Sequence, residues 1–265
     1  MRGRLIIAAL LVLALHGCGS GGSSNTETPA GAQKVAIPST TVAAGKDASK
    51  ASAKSAPDDP AAKPAAEAEA EAPAAATFVP ANGSGRAPAV VFVHDLAAGE
   101  GEAMAEAKRL APKGVASLVL TGGHGASPDA AAFAADVKQV AAAIAVLRKR
   151  PDVDPDRIAL VGEGNGARVA AVILGEEGGR LRGAVLADLG AAGGGAGRYA
   201  PERWLEKARG SMVMLQRSAS TERTTDEQLK QLLLAAPPGT LVYDYKELDL
   251  TAQTARERWL RKVLA

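Results

Sequence analysis

Six short runs of Val, Leu, Ile and Ala, each separated from the next by a helix-length stretch, constrain this chain more than any other feature. They are Ala89-Val90-Val91-Phe92-Val93, residues 115–120, Ile158-Ala159-Leu160-Val161, Ala184-Val185-Leu186-Ala187, Met212-Val213-Met214-Leu215 and Leu241-Val242-Tyr243. Most are continuously apolar rather than alternating, the pattern of strands covered on both faces. Between them the spacing predicts helices at 102–111, 127–150, 164–174, 201–208 and 225–235, and a last one at 251–263 follows the sixth run. Pro112 stops the first, and Ser127 and Pro128 open the second as cap and first helical residue. Along that second helix Phe133, Val137, Val140, Ala141, Ile144 and Leu147 recur at three- and four-residue steps and form one apolar stripe. Strand–helix alternation of this kind predicts an α/β fold, a doubly wound, mainly parallel sheet of about six strands. Residues 78–265 suffice for one well-buried domain and are too few for two.

Upstream the composition changes. Residues 18–77 are almost all Ala, Gly, Ser, Thr, Pro, Lys, Glu and Asp, with no aromatic and only Val35, Ile37 and Val42 as larger aliphatics. Such a segment buries too little apolar surface to offset its ordering entropy, so it is expected to be a disordered tether. A coil of that length averages on the order of 40 Å end to end.

Residues 1–17 carry Arg2 and Arg4, then an unbroken apolar run from Leu5 to Leu15. That run is shorter than the roughly 20 residues a membrane-crossing helix needs, and has the length of a signal-peptide core. It ends at Leu15-His16-Gly17-Cys18, and this tetrapeptide resembles the lipobox of bacterial lipoproteins. The resemblance implies cleavage before Cys18, a diacylglyceryl thioether on its sulfur and an acylated new N-terminus. Several acyl chains at about 0.8 kcal/mol per buried methylene anchor a protein stably. Cys18 is the only cysteine, so no intramolecular disulfide competes for it. Gly19 after it, rather than Asp, resembles lipoproteins of the outer membrane more than those of the inner one.

Without Arg2 and Arg4, the 31 basic residues fall to 29 and match the 29 acids. A balanced mature chain with no basic stripe argues against nucleic acid as a partner. The expected partners are the membrane, through the lipid, and an unspecified ligand or envelope protein.

Four segments in the folded part resemble the α/β-hydrolases, most closely the dienelactone-hydrolase and acyl-esterase branch. They are Val91-Phe92-Val93-His94-Asp95, Gly122-Gly123-His124-Gly125-Ala126-Ser127, the stretch 151–162, and Gly162-Glu163-Gly164-Asn165-Gly166. The last occupies the place of the nucleophile elbow, Gly-x-Ser-x-Gly, in which a strained strand-to-helix turn exposes a serine hydroxyl. Here the flanking glycines stand and the nucleophile position is Gly164. The family's histidine follows its last strand, but 244–250 reads Asp-Tyr-Lys-Glu-Leu-Asp-Leu. The three histidines are His16, in the signal peptide, and His94 and His124, in earlier loops. The acid's usual place, after Leu215, reads Gln216-Arg217-Ser218-Ala219-Ser220. A triad needs all three groups within hydrogen-bond reach. The resemblance therefore implies a hydrolase-like domain without its triad, with a binding or structural role rather than an enzymatic one. The run 190–197 lies where relatives insert a lid.

His94, Asp95, His124, Glu163 and Asn165 are the candidate pocket residues. His94 with Asp95 reads either as a local acid–base pair or as a remnant of the oxyanion loop. His124, Glu163 and Asn165 read either as pocket lining or as loop and surface residues. No metal-ligand spacing occurs within one element, and no cofactor is expected. Two alternatives stand beside the main reading. One is an active esterase using a non-standard site. The other is a dinucleotide-binding turn, in which Gly162-x-Gly164-x-x-Ala167 follows a strand and opens a helix, with Asp188 ending the next strand as the ribose-binding acid.

Overall fold

All six apolar runs become parallel neighbours in one sheet. The computed structural model describes residues 31–37, 74–94, 97–121, 130–189, 199–218, 224–245 and 250–265. Its strands are β1 (Gln33–Ile37), β2 (Ala74–Val79), β3 (Ala87–Val93), β4 (Ala116–Leu120), β5 (Val153–Glu163), β6 (Gly183–Ala187), β7 (Met212–Ser218) and β8 (Leu241–Tyr245). The helices are α1 (Ala97–Leu110), α2 (Ala130–Arg148), α3 (Asn165–Glu177), α4 (Pro201–Leu205), α5 (Asp226–Ala235) and α6 (Leu250–Leu264). The strand order is β1-β2-β4-β3-β5-β6-β7-β8. From β3 to β8 every neighbouring pair is parallel, and β2 runs antiparallel to both β1 and β4.

The sheet thus has eight strands where the sequence predicts six, and the two additions correct the extent of the tether. Residues 33–37 and 74–77, assigned to it on composition, belong to the folded domain. Alanine is a weak strand former, so Ala74-Ala75-Ala76 carries no strand signal by itself. Pairing overrides propensity there. Ala76 and Phe78 are fully buried, β2 hydrogen-bonds a strand on each side, and Ile37 of β1 is buried in the same core. Residues 1–30 and 38–73, which hold the signal peptide, Cys18 and the rest of the tether, lie outside the described residues.

Alternation along the central strands builds a core on each face. Val91 and Val93 of β3 join Leu118, Leu160 and Leu186 beneath α2 and α3. Val90 and Phe92 face the opposite way, joining Val161 and Met214 with Ala107 and Leu110 of α1 and Trp259 and Leu260 of α6. Helix α2 has 19 residues and a mean hydropathy of 1.6, long and apolar enough to cross a membrane. Its predicted stripe explains that composition otherwise: Phe133, Val137, Val140, Ile144 and Leu147 are buried against the domain. The α5 N-terminus keeps a capping box, with Thr225 and Gln228 bonding each other's backbone N–H.

The chain steps outward from β3 to β4 and then returns past β3 to β5. The carboxyl ends of β3 and β5 therefore flank a reversal of strand order, where open α/β sheets form their ligand crevice.

Candidate functional site

The corner between β5 and α3 is a single residue. Strand β5 ends at Glu163, α3 begins at Asn165, and Gly164 between them has φ 58° and ψ −123°. That backbone conformation costs a side-chain-bearing residue free energy and costs glycine little. The Gly164 N–H donates to the Ala187 carbonyl at 2.9 Å and ties the corner to β6. Each flanking glycine has its own packing reason. A Cβ on Gly162 would stand 2.6 Å from Ala167 Cα, and one on Gly166 would stand 2.3 Å from the Val93 carbonyl oxygen. Close contact of α3 with β5 and β3 thus accounts for Gly162 and Gly166 without a pyrophosphate. Asp188, the acid of the dinucleotide reading, has φ 50° and donates its backbone N–H to Gln216 O of β7 at 2.9 Å.

His94 follows β3 and is 2 % exposed, with its Nε2–H donating to the Leu120 carbonyl at 2.8 Å. Bonded in this way, the imidazole links the carboxyl ends of β3 and β4. Asn165 is half-buried as the first residue of α3. Asp95, His124 and the 190–197 run lie outside the described residues, as do the segments after β7 (219–223) and after β8 (246–249).

Glu163 leads to residues that sequence reasoning missed. Its Oε1 accepts from Arg256 Nη1 of α6 at 2.7 Å, and the same Nη1 donates to Glu106 Oε2 of α1 at 3.1 Å. Arg256 Nε also donates to Gln216 Oε1 of β7 at 2.8 Å. Arg256 is 1 % exposed and Glu106 3 %. Burial pushes the Glu106 carboxyl above its usual range; Arg256 opposes that and Glu163 reinforces it. Among the described residues Glu106 Oε1 has no hydrogen-bond partner. His94, Glu102, Glu106, Glu163 and Arg256 line a shallow cleft under the ends of β3 and β5, with room for on the order of one water molecule. One signal marked these residues in advance. Arg256 interrupts the α6 stripe of Ala252, Trp259, Leu260 and Val263, and Glu106 interrupts the α1 stripe of Ala103, Ala107 and Leu110. A charge on an apolar stripe requires a buried partner.

Among the described residues no group of three or more His, Cys, Asp or Glu could hold a metal ion.

No family model matches the chain. No curated protein matches it either. Solved structures do. Est1E from Butyrivibrio proteoclasticus aligns over 72% of this chain and 94% of its own, with a TM-score of 0.57 and 13% identity. An acetyl xylan esterase from Paenibacillus sp. R4 aligns over 72% and 79%, with a TM-score of 0.57 and 16% identity. A cold-adapted esterase from an Arctic intertidal metagenomic library aligns over 72% and 88%, with a TM-score of 0.59 and 14% identity. The domain has an α/β-hydrolase fold. At such identities the likeness is one of fold, and one hydrolase fold hosts many chemistries. Within this fold Gly164 takes the strand-to-helix corner, and the neighbouring Glu163 is held by a buried arginine.

Proposed function

We propose that this chain is a lipid-anchored envelope protein whose hydrolase-fold domain binds a ligand or partner and does not hydrolyse it. The observation that carries the reading is Gly164 at the corner, where an attacking side chain would have to stand. The sequence adds that no histidine follows β8, so a hydroxyl placed at the corner would lack a base. Glu163, the carboxylate nearest the corner, is held by Arg256 through Oε1. The anchor rests on the Leu15-His16-Gly17-Cys18 motif, and Gly19 favours the periplasmic side of the outer membrane.

The enzymatic reading is favoured by two solved structures of similar fold that are named as esterases, those from Paenibacillus sp. R4 and from the Arctic intertidal library. Fluorophosphonate labelling of the purified chain, beside an ester-hydrolysis assay, separates the two. The expected result is no labelled serine and hydrolysis at the buffer rate, unchanged in Gly164→Ser. Stoichiometric labelling of any serine, with turnover, overturns the proposal. For the anchor, Cys18→Ser should abolish incorporation of a palmitate analogue and release the protein from the membrane fraction.

A further inference from the structure

Helix α3 carries a buried cation that takes no part in the Gly164 corner or the Arg256 cluster. Arg168 lies one turn in from the Gly164 corner and is only 6 % exposed. It makes no ion pair among the described residues, and its Nε has no hydrogen-bond partner. Contrast Arg256, also buried, whose guanidinium meets two carboxylates and an amide. Burial alone lowers the Arg168 pKa, with no carboxylate acting against it. A buried charge without a counter-charge is costly, and folds supply one when the role is structural.

The surroundings describe what is missing. The Arg168 guanidinium carbon stands 5.1 Å from the centre of the Phe133 ring, and that ring stands 4.6 Å from the ring of Tyr199. Phe133 is in the first turn of α2 and Tyr199 lies just ahead of α4. Three elements thus bring one cation and two rings to the carboxyl edge of the sheet. The first turn of α3 holds no acidic residue and no side-chain cap, so the helix dipole there adds to the positive field. A guanidinium presents paired N–H donors that match a carboxylate.

We propose that Arg168 anchors a binding site for a small organic carboxylate, with Phe133 and Tyr199 walling its apolar body. The inference rests on the non-hydrolytic binding role proposed above and names the ligand class for it.

Benzoate is a suitable probe, titrated into the purified full chain by calorimetry and by thermal shift. Chloride and inorganic phosphate at matched ionic strength serve as contrasts. Benzoate should bind saturably and raise the melting temperature more than either contrast. Arg168→Met should weaken it about tenfold or more, as expected for a lost charge-assisted pair. Arg168→Lys should retain part of the affinity, since it keeps the charge and loses the fork. Arg168→Met is expected to fold at least as stably as the parent, because it removes a buried unpaired charge, so loss of binding is not loss of fold. Equal shifts from benzoate and chloride, or unchanged benzoate binding in Arg168→Met, overturn the inference. Those results leave the non-hydrolytic reading standing, whereas serine labelling with turnover removes that reading without touching benzoate affinity.

Discussion

Arg256 Nη1 lies 2.7 Å from Glu163 Oε1, so the residue preceding the Gly164 corner is pinned to the last helix of the domain. The same nitrogen reaches Glu106 of α1, and Nε reaches Gln216 of β7. One guanidinium thereby joins β5, β7 and both helices of one sheet face at the carboxyl edge.

Arg256→Met should destabilise the domain by about 3 kcal/mol, the cost of leaving a buried carboxylate without its cation. Adding Glu106→Gln to Arg256→Met should recover part of that loss, since the amide carries no charge. Urea denaturation of the two single variants, the double variant and the parent measures the coupling; strictly additive changes would show that the pair does not interact.

Glu106 and Glu257 should respond to pH with opposite signs. Burial raises the Glu106 pKa above the ordinary glutamate value of 4.5, so the fold favours its protonated form. Its contribution is present below that value and is lost as pH rises through the folded-state pKa. Glu106→Gln should therefore become progressively less harmful, relative to the parent, from pH 4.5 towards neutrality. Burial also opposes the charged form of Glu257, but the Lys113 and Arg109 contacts outweigh it and lower its pKa. Its contribution is present above 4.5 and lost as pH falls through the folded-state pKa, so the penalty of Glu257→Gln should shrink in acid. Denaturation midpoints at several pH values test both slopes.

Gly166→Ala should destabilise by roughly 3 kcal/mol, because the new methyl collides with backbone rather than with a mobile side chain. The added Cβ would stand 2.3 Å from the Val93 carbonyl, and relief requires α3 to move off β3. An exposed glycine with nothing near it, Gly101, provides the contrast. Gly101→Ala in α1 should be neutral or slightly stabilising in thermal melts.

Deleting residues 1–38 should lower the melting temperature and promote self-association. The deletion removes β1, uncovers the hydrogen-bonding edge of β2 and takes the buried Ile37 from the core. Size-exclusion chromatography against a chain beginning at Gly31 reads the effect; identical behaviour would mean that β1 contributes nothing to the fold.

Most of the fold was legible in the sequence because parallel strands are buried on both faces. The runs at 89–93 and 158–161 are apolar without a break for that reason, and local pattern alone locates them. Gly164 was legible for a similar reason, since a one-residue corner leaves its glycines in a fixed local order. Strands β1 and β2 were not, because their identity lies in their partners: Ala76 is a strand residue by virtue of Val35 on one side and Leu120 on the other. The Arg256 cluster is another such case, joining residues 150 and 93 positions apart. Hydrophobic period is written into neighbouring residues, whereas the partner of a buried charge is chosen by packing between distant elements. Arg168 belongs to the same class, since only the folded surroundings reveal a buried cation that meets no carboxylate among the described residues.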